Sequence, residues 1–190
     1  MVLVGFAMYL NDADIRPSLI DFLSSKSKKP RCILQELHVH RGNAIADVVT
    51  IHSEAHCYEI KGDKDKIARL TRQGDFYNKV FSKITLVTTQ RKLQEALEKT
   101  PKFWGIVVAY EIRGIVKFKY VRKTSTNPFF NKELALATLW KSELTNVNEE
   151  LSLDIPEKIN KRDFALELSE RMNKIQTNRW IAESLLSRLA

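Results

Sequence analysis

Cysteine is scarce in this chain: only Cys32 and Cys57, among 190 residues, carry thiols. Two thiols in apolar, strand-like runs are too few for a disulfide scaffold or a four-thiolate cluster, and they fit a reducing compartment. Long apolar runs are missing as well. The opening "MVLVGFAMYL" is too short to span a bilayer and lacks a basic leader and a clear cleavage site. It reads as part of the fold, and a cytoplasmic protein with no membrane partner is expected. No repeat or low-complexity tract interrupts the sequence, and no GxxxxGK[ST] motif occurs, so neither a nucleotide cofactor nor ATP-driven translocation is expected of this polypeptide. Zinc is not the expectation either. His38 and His40 share a strand face and His52 and His56 bracket a turn, but their spacing matches neither HExxH nor a Cys/His pair.

Positive charge, by contrast, is plentiful. The 31 lysines and arginines outnumber the 23 aspartates and glutamates, giving +8 at neutral pH. Such an excess favours a polyanionic partner. Its distribution is uneven: from Glu59 to Lys123 sixteen basic residues face seven acidic ones, while the C-terminal third is nearly balanced. A hydrophobic content of 44% is enough for one sizeable core.

Periodicity sets the order of elements. Asn11 or Asp12 caps a first helix whose Ile15, Leu19, Ile20, Phe22 and Leu23 recur at helical spacing. Strands follow at residues 31–40, 44–51 and 56–62, then a helix from about Asp65 to Phe81, a strand at 83–89, a helix near 91–99 and the strand "FWGIVVAYEI". After Gly114, "IVKFKYV" alternates lysines as an outer strand would. This order predicts an α/β sandwich around a mixed sheet. Near residue 124 the pattern changes, which divides the chain into a core at 1–123 and a helical lobe at 124–190. In that lobe Asn127 caps the first of three helices, near 128–144, 161–173 and 177–188. The lobe packs on the sheet or serves as a recognition module; the sequence does not choose.

Within the apolar strands stand three charges. If 44–51 and 56–62 form a hairpin, Asp47 and Glu59 lie on neighbouring strands, facing the same side in one register, and Lys61 shares a strand face with Glu59. Two converging carboxylates beside one ammonium suit Mg²⁺ or Mn²⁺. A plain Glu59–Lys61 pair at a strand margin is the simpler alternative. On the next helix Gln73 and Tyr77 are four residues apart on or beside the apolar stripe, and Arg69 and Arg72 lie on its more exposed side, placed to meet a phosphate backbone.

Asp47, then Glu59-Ile60-Lys61, then Gln73 through Tyr77 resembles the PD-(D/E)xK nuclease superfamily, in the RecB-like and Cas4-like branch whose third motif is Q-x-x-x-Y. The run from "RGNAIADVV" through "YEIKGDKDKIARLTRQGDFYNKVFSKITLVT" is similar to small bacterial and phage proteins of that superfamily. The likeness spans about residues 12 to 120. It implies a restriction-endonuclease-like core, with a mixed central sheet flanked by helices, and metal-dependent hydrolysis of DNA phosphodiester bonds. By the same resemblance Asp47 and Glu59 hold the ion together with the Ile60 carbonyl, Lys61 orients the attacking water, and Gln73 touches the site or the DNA. Glu36, His38, His40 and Tyr77 are accessory candidates, with Tyr77 the one expected mainly to pack. Lys64, Lys66, Arg69 and Arg72 hold the nucleic-acid backbone.

Two departures stand out. Ala46 occupies the place of the proline that names the superfamily, and two cysteines exclude the iron-sulfur cluster of the Cas4-like proteins. Competing expectations are a non-catalytic nucleic-acid-binding or assembly protein of the same fold and an RNA-processing nuclease. A homo-oligomer or a helicase-type partner is not legible.

Overall fold

A computed structural model describes residues 9–39, 42–67, 70–156 and 158–188, apart from the side chain of residue 71. The opening apolar stretch up to residue 8, His40 and Arg69 lie outside them. The first helix, α1 (Asp12–Ser24), begins at a capping box. The Asn11 side chain accepts from the Asp14 N–H at 3.2 Å and the Asp14 carboxylate accepts from the Asn11 N–H at 2.9 Å, so two otherwise orphaned donors are satisfied. Ile15, Leu19 and Leu23 recur every four residues and form its buried stripe.

Six strands come next: β1 (Cys32–Val39), β2 (Ala44–Ile51), β3 (Ala55–Lys61), β4 (Lys83–Thr89), β5 (Gly105–Ile112) and β6 (Ile115–Arg122). They lie in one sheet in chain order. β1 to β3 are antiparallel, β3 to β5 parallel, and β6 returns antiparallel to β5. Each parallel step needs a crossover, supplied by α2 (Leu70–Val80) and α3 (Leu93–Lys99). Both steps run in one direction across the sheet, so right-handed crossovers place both helices on one face. That is where Leu70, Tyr77, Val80 and Ala96 are buried. α1 covers the opposite face, on Val48, Tyr58, Ile60, Val87 and Val107.

The C-terminal helices α4 (Lys132–Leu136), α5 (Lys141–Glu150), α6 (Lys161–Arg171) and α7 (Lys174–Ser187) join the α2 face, where Leu136, Leu144, Phe164, Leu168 and Leu185 share one cluster with sheet residues Val49, Ile51 and Ile84. An α/β fold with a mixed central sheet, flanking helices and a C-terminal helical lobe is thus present. Among the described residues no helix is long and apolar enough to cross a membrane.

Three expectations change in detail. The helix foreseen at 65–81 is described from Leu70 to Val80, and Asp65 does not begin it but closes a turn, accepting the Gly62 N–H at 2.8 Å. The helix foreseen at 128–144 is two helices, broken at residues 137–140. Asn127 does not cap the next helix. It is buried, and its amide donates to the carbonyls of Asn78 (2.6 Å) and Phe81 (2.7 Å), closing the end of α2 from outside. Asn131 performs the N-cap of α4.

One irregularity positions the charged residues. On β2, Ala44 and Ala46 belong to the many-helix face and so do Val49 and Ile51, so strict alternation slips one residue between Ala46 and Val49. Opposite the slip, between the pairs Gln35↔Val48 and Leu37↔Ala46, Glu36 takes a left-handed conformation with φ of 53°. The β2–β3 pairing ends at Val48↔Tyr58, while β3 runs on to Lys61. Asp47 therefore stands where the two strands part.

Candidate functional site

The carboxylate of Asp47 occupies that gap. Its Oδ2 accepts the Ile60 N–H at 2.8 Å, replacing a ladder bond that β2 no longer supplies. Its Oδ1 accepts from Arg16 Nη2 at 3.2 Å, and the same guanidinium donates through Nη1 to the Asp47 carbonyl at 2.9 Å. Arg16 is the only cation of α1, and Asp12, four residues earlier, aligns it through bonds of 3.0 and 3.1 Å. Burial pushes the Asp47 carboxyl above its ordinary range, against the pull of the Ile60 N–H, Lys61 and Arg16.

Glu59, 1% exposed, is equally engaged. Lys61 Nζ donates to its Oε1 at 2.5 Å and the Tyr77 hydroxyl lies 2.8 Å from its Oε2 and 2.6 Å from the Ile45 carbonyl. Burial, with Asp47 second, pushes the Glu59 carboxyl up to about 7, and Lys61 and Tyr77 oppose the rise. Near neutral pH this group is divided between its acid and its anion. Burial also pushes the Tyr77 phenol up, so it stays a donor.

The structure thus brings Asp47, Glu59, Lys61 and Tyr77 together. Ile60 enters through its N–H, and Tyr77 both packs and bonds. Glu36 stays exposed, 3.9 Å from Arg16, and His38 is exposed among Leu34, Trp140 and Arg188. Arg16 and Asp12 were missed by sequence reasoning; the one available signal was a lone arginine four residues after an aspartate in the first helix. Every carboxylate oxygen of Asp47 and Glu59 already accepts a bond, and among the described residues no three His, Cys, Asp or Glu side chains are grouped to hold an ion.

Beside this closed cluster is an open one. A cleft of about 420 Å³ beyond the carboxyl end of β3 is lined by Lys61, Asp65, Lys66, Arg72 and Gln73. Three cations and an amide face one carboxylate. Lys66 and Arg72 are exposed, have no ion-pair partner among the described residues, and Lys64 is exposed next to them.

Residues 7–188 match the family described as Bacteriophage P4 protein cII. The chain belongs to the phage P4 cII family. Protein cII of Enterobacteria phage P4 is 24% identical over 183 residues, which cover 96% of this chain and 69% of that protein. Among solved structures, a protein of unknown function from Silicibacter pomeroyi, SPO1766, is similar at 15% identity with a TM-score of 0.42, over 67% of this chain and 82% of that one. That likeness is too slight to assign a restriction-endonuclease-like topology. Membership of the cII family corrects the PD-(D/E)xK resemblance and the reading of the chain as a Mg²⁺- or Mn²⁺-dependent deoxyribonuclease. The catalytic roles given to Asp47, Glu59, Lys61 and Gln73 were what that resemblance implied. In this cII-family chain the short D…ExK and QxxxY patterns coincide with a structural need. A strand gap requires an acceptor, and a buried carboxyl requires donors.

Proposed function

We propose that this cII-family chain is a non-catalytic nucleic-acid-binding protein that holds the phosphate backbone of DNA at the cleft beyond β3. The basic lining of that cleft carries the reading: Lys66 and Arg72 are exposed without an ion-pair partner among the described residues, Asp65 is the one acid on the wall, and Asp47 and Glu59 are engaged by Arg16 and Lys61. Phosphate oxygens are the natural partners of such unneutralised cations, and Gln73 adds an uncharged donor beside them. Lys64, and Arg69 from outside the described residues, extend the same basic run along the chain. The overall charge of +8 supports the same partner. Contacts of this kind fix position without reading sequence, so binding to mixed-sequence duplex with a steep salt dependence is expected.

Fluorescence anisotropy with a labelled DNA duplex at several salt concentrations tests the reading. Affinity that falls as salt rises, and that drops in the Lys66→Ala/Arg72→Ala double variant, supports it. Wild-type affinity in that variant, or no binding even at low salt, overturns it. Stronger binding to an RNA of the same sequence would replace DNA by RNA as the partner.

A further inference from the structure

A second basic group lies at the other end of β3 and belongs to no part of the cleft. The turn between β2 and β3, the start of β4 and the segment after α1 enclose a cavity of about 290 Å³. Its ionic lining is Lys26, Lys28, Lys83, His52 and His56 against a single acid, Glu54. Lys83 Nζ pairs with Glu54 Oε1 at 2.7 Å, which leaves no other carboxylate on the wall. Lys26 is held over the Phe22 ring, 3.5 Å from its centroid, and 5.0 Å from that of Tyr120, so its charge is steered by aromatic faces without being neutralised. Lys28 is exposed and has no ion-pair partner among the described residues.

The histidines are built in rather than dangling. His56 stacks on Tyr58 with centroids 4.3 Å apart, its Nε2 is 2.8 Å from the Thr85 hydroxyl and its Nδ1 3.3 Å from the Tyr58 hydroxyl. Burial and then Lys83 push His56 down to about 3, and burial with Lys28 and Lys83 lowers His52. Burial first, and the neighbouring lysines second, disfavour the charged form of both rings. A partly enclosed wall of like charges concentrates positive potential, and an entering anion relieves it.

We propose that this cavity binds a phosphate monoester through Lys28, Lys83 and His52. Two negative charges match the surplus of lysines over Glu54 better than one. The volume is at the small end of ligand pockets, wide enough for a phosphate and part of a sugar and too narrow for a duplex passing through. The shared chemistry has two sources, the terminal phosphate of a nucleic-acid strand and a small phosphorylated molecule. Neither depends on the cleft at the opposite end of β3, so this proposal and the DNA-binding reading stand or fall separately.

The test is a titration of the full chain followed through the imidazole resonances of His52 and His56. Probes are inorganic phosphate at constant ionic strength, an oligonucleotide with a 5′-phosphate and the same oligonucleotide with a 5′-hydroxyl. Saturable shifts of both rings with inorganic phosphate are expected, with affinity weakened about tenfold or more by Lys28→Glu, an exposed position whose reversal leaves the core untouched. Shifts with the 5′-phosphorylated strand and none with its 5′-hydroxyl counterpart identify a strand end. Shifts with inorganic phosphate alone identify a small phosphorylated molecule. The proposal is overturned if phosphate produces no saturable shift, or if Lys28→Glu binds as tightly as the wild type.

Discussion

The two ends of β3 gather similar numbers of charged side chains and use them oppositely. At the carboxyl end Asp47, Glu59, Lys61 and Arg16 bond to one another, to Tyr77 and to a backbone N–H. At the amino end Lys26, Lys28 and Lys83 share one acid around an open cavity. Charge density therefore does not separate a binding site from a structural joint. The distinction lies in whether the valences are already filled, and the same test picks Lys66 and Arg72 out of the cleft beside the closed cluster.

The strongest way to break this contrast is to open the closed end. Asp47→Ala strands the Ile60 N–H and removes one of the two carboxylates that Arg16 bonds, leaving it Asp12 and the carbonyl of residue 47. A loss of about 3 kcal/mol is expected, because one partner of a partly buried ion pair is removed and the other remains. Glu54→Gln at the amino end breaks only the half-exposed pair with Lys83 and is expected to cost less than about 1 kcal/mol. Urea unfolding of both variants decides. Equal losses would show that the two ends are not wired differently.

Acid titration sharpens the contrast, because the ends have opposite slopes. Glu59 is raised from 4.5 to about 7 in the folded chain. Its contribution to stability is complete below about pH 4.5 and is lost as pH rises through about 7. His56 is lowered from 6.5 to about 3, so its contribution is complete above about pH 6.5 and is lost as pH falls towards 3. Between roughly pH 4.5 and 6.5 the two oppose each other, each by at most about 1.4 kcal/mol per pH unit. Glu59→Gln should therefore gain stability relative to wild type as pH rises from 4.5 to 7. His56→Gln should gain relative to wild type as pH falls from 6.5 to 3. Parallel profiles for wild type and either variant would remove the corresponding burial effect.

The open cleft gives a smaller response. Lys66→Ala with Arg72→Ala is expected to weaken binding to duplex DNA about tenfold and to flatten the salt dependence by about one phosphate contact for each residue that touches the backbone. Folding stability should be nearly unchanged, since both side chains are exposed.

Sequence periodicity makes the sheet largely legible. Strand alternation and the helical stripe at Ile15, Leu19 and Leu23 mark the elements, and the one-way order of β3, β4 and β5 follows from helices between them. The hairpin likewise brings Asp47 beside the Glu59 strand in the right order of chain. The roles of the charges are not legible, because they are decided by contacts distant in sequence. Arg16 reaches Asp47 across 31 positions, and its side chain carries no mark of that destination. The strand gap that makes Asp47 an acceptor depends on a slip in alternation at Ala46 to Val49 and on the left-handed Glu36, neither of which periodicity announces. Asn127 shows the same limit: Asn before Pro128 is a sound N-cap signal, yet the side chain turns back to the carbonyls of α2 because that helix ends beside it.

The finest probe of the closed end is Tyr77→Phe. It keeps the buried ring, which packs against Phe81 and Trp104 with centroids 6.1 and 6.4 Å away, and removes only the hydroxyl shared between Glu59 and the Ile45 carbonyl. A loss of about 1 kcal/mol is expected at neutral pH. Its pH dependence carries more information than its size. The phenol lowers the Glu59 carboxyl by favouring the anion, so its removal raises the folded value further above the unfolded one. The variant should then lose more stability than wild type as pH rises through 7, and its deficit should shrink below about 4.5, where Glu59 is protonated in both states. A deficit independent of pH would mean that the hydroxyl serves the Ile45 carbonyl alone, and the closed end would be held on that side by backbone rather than by charge.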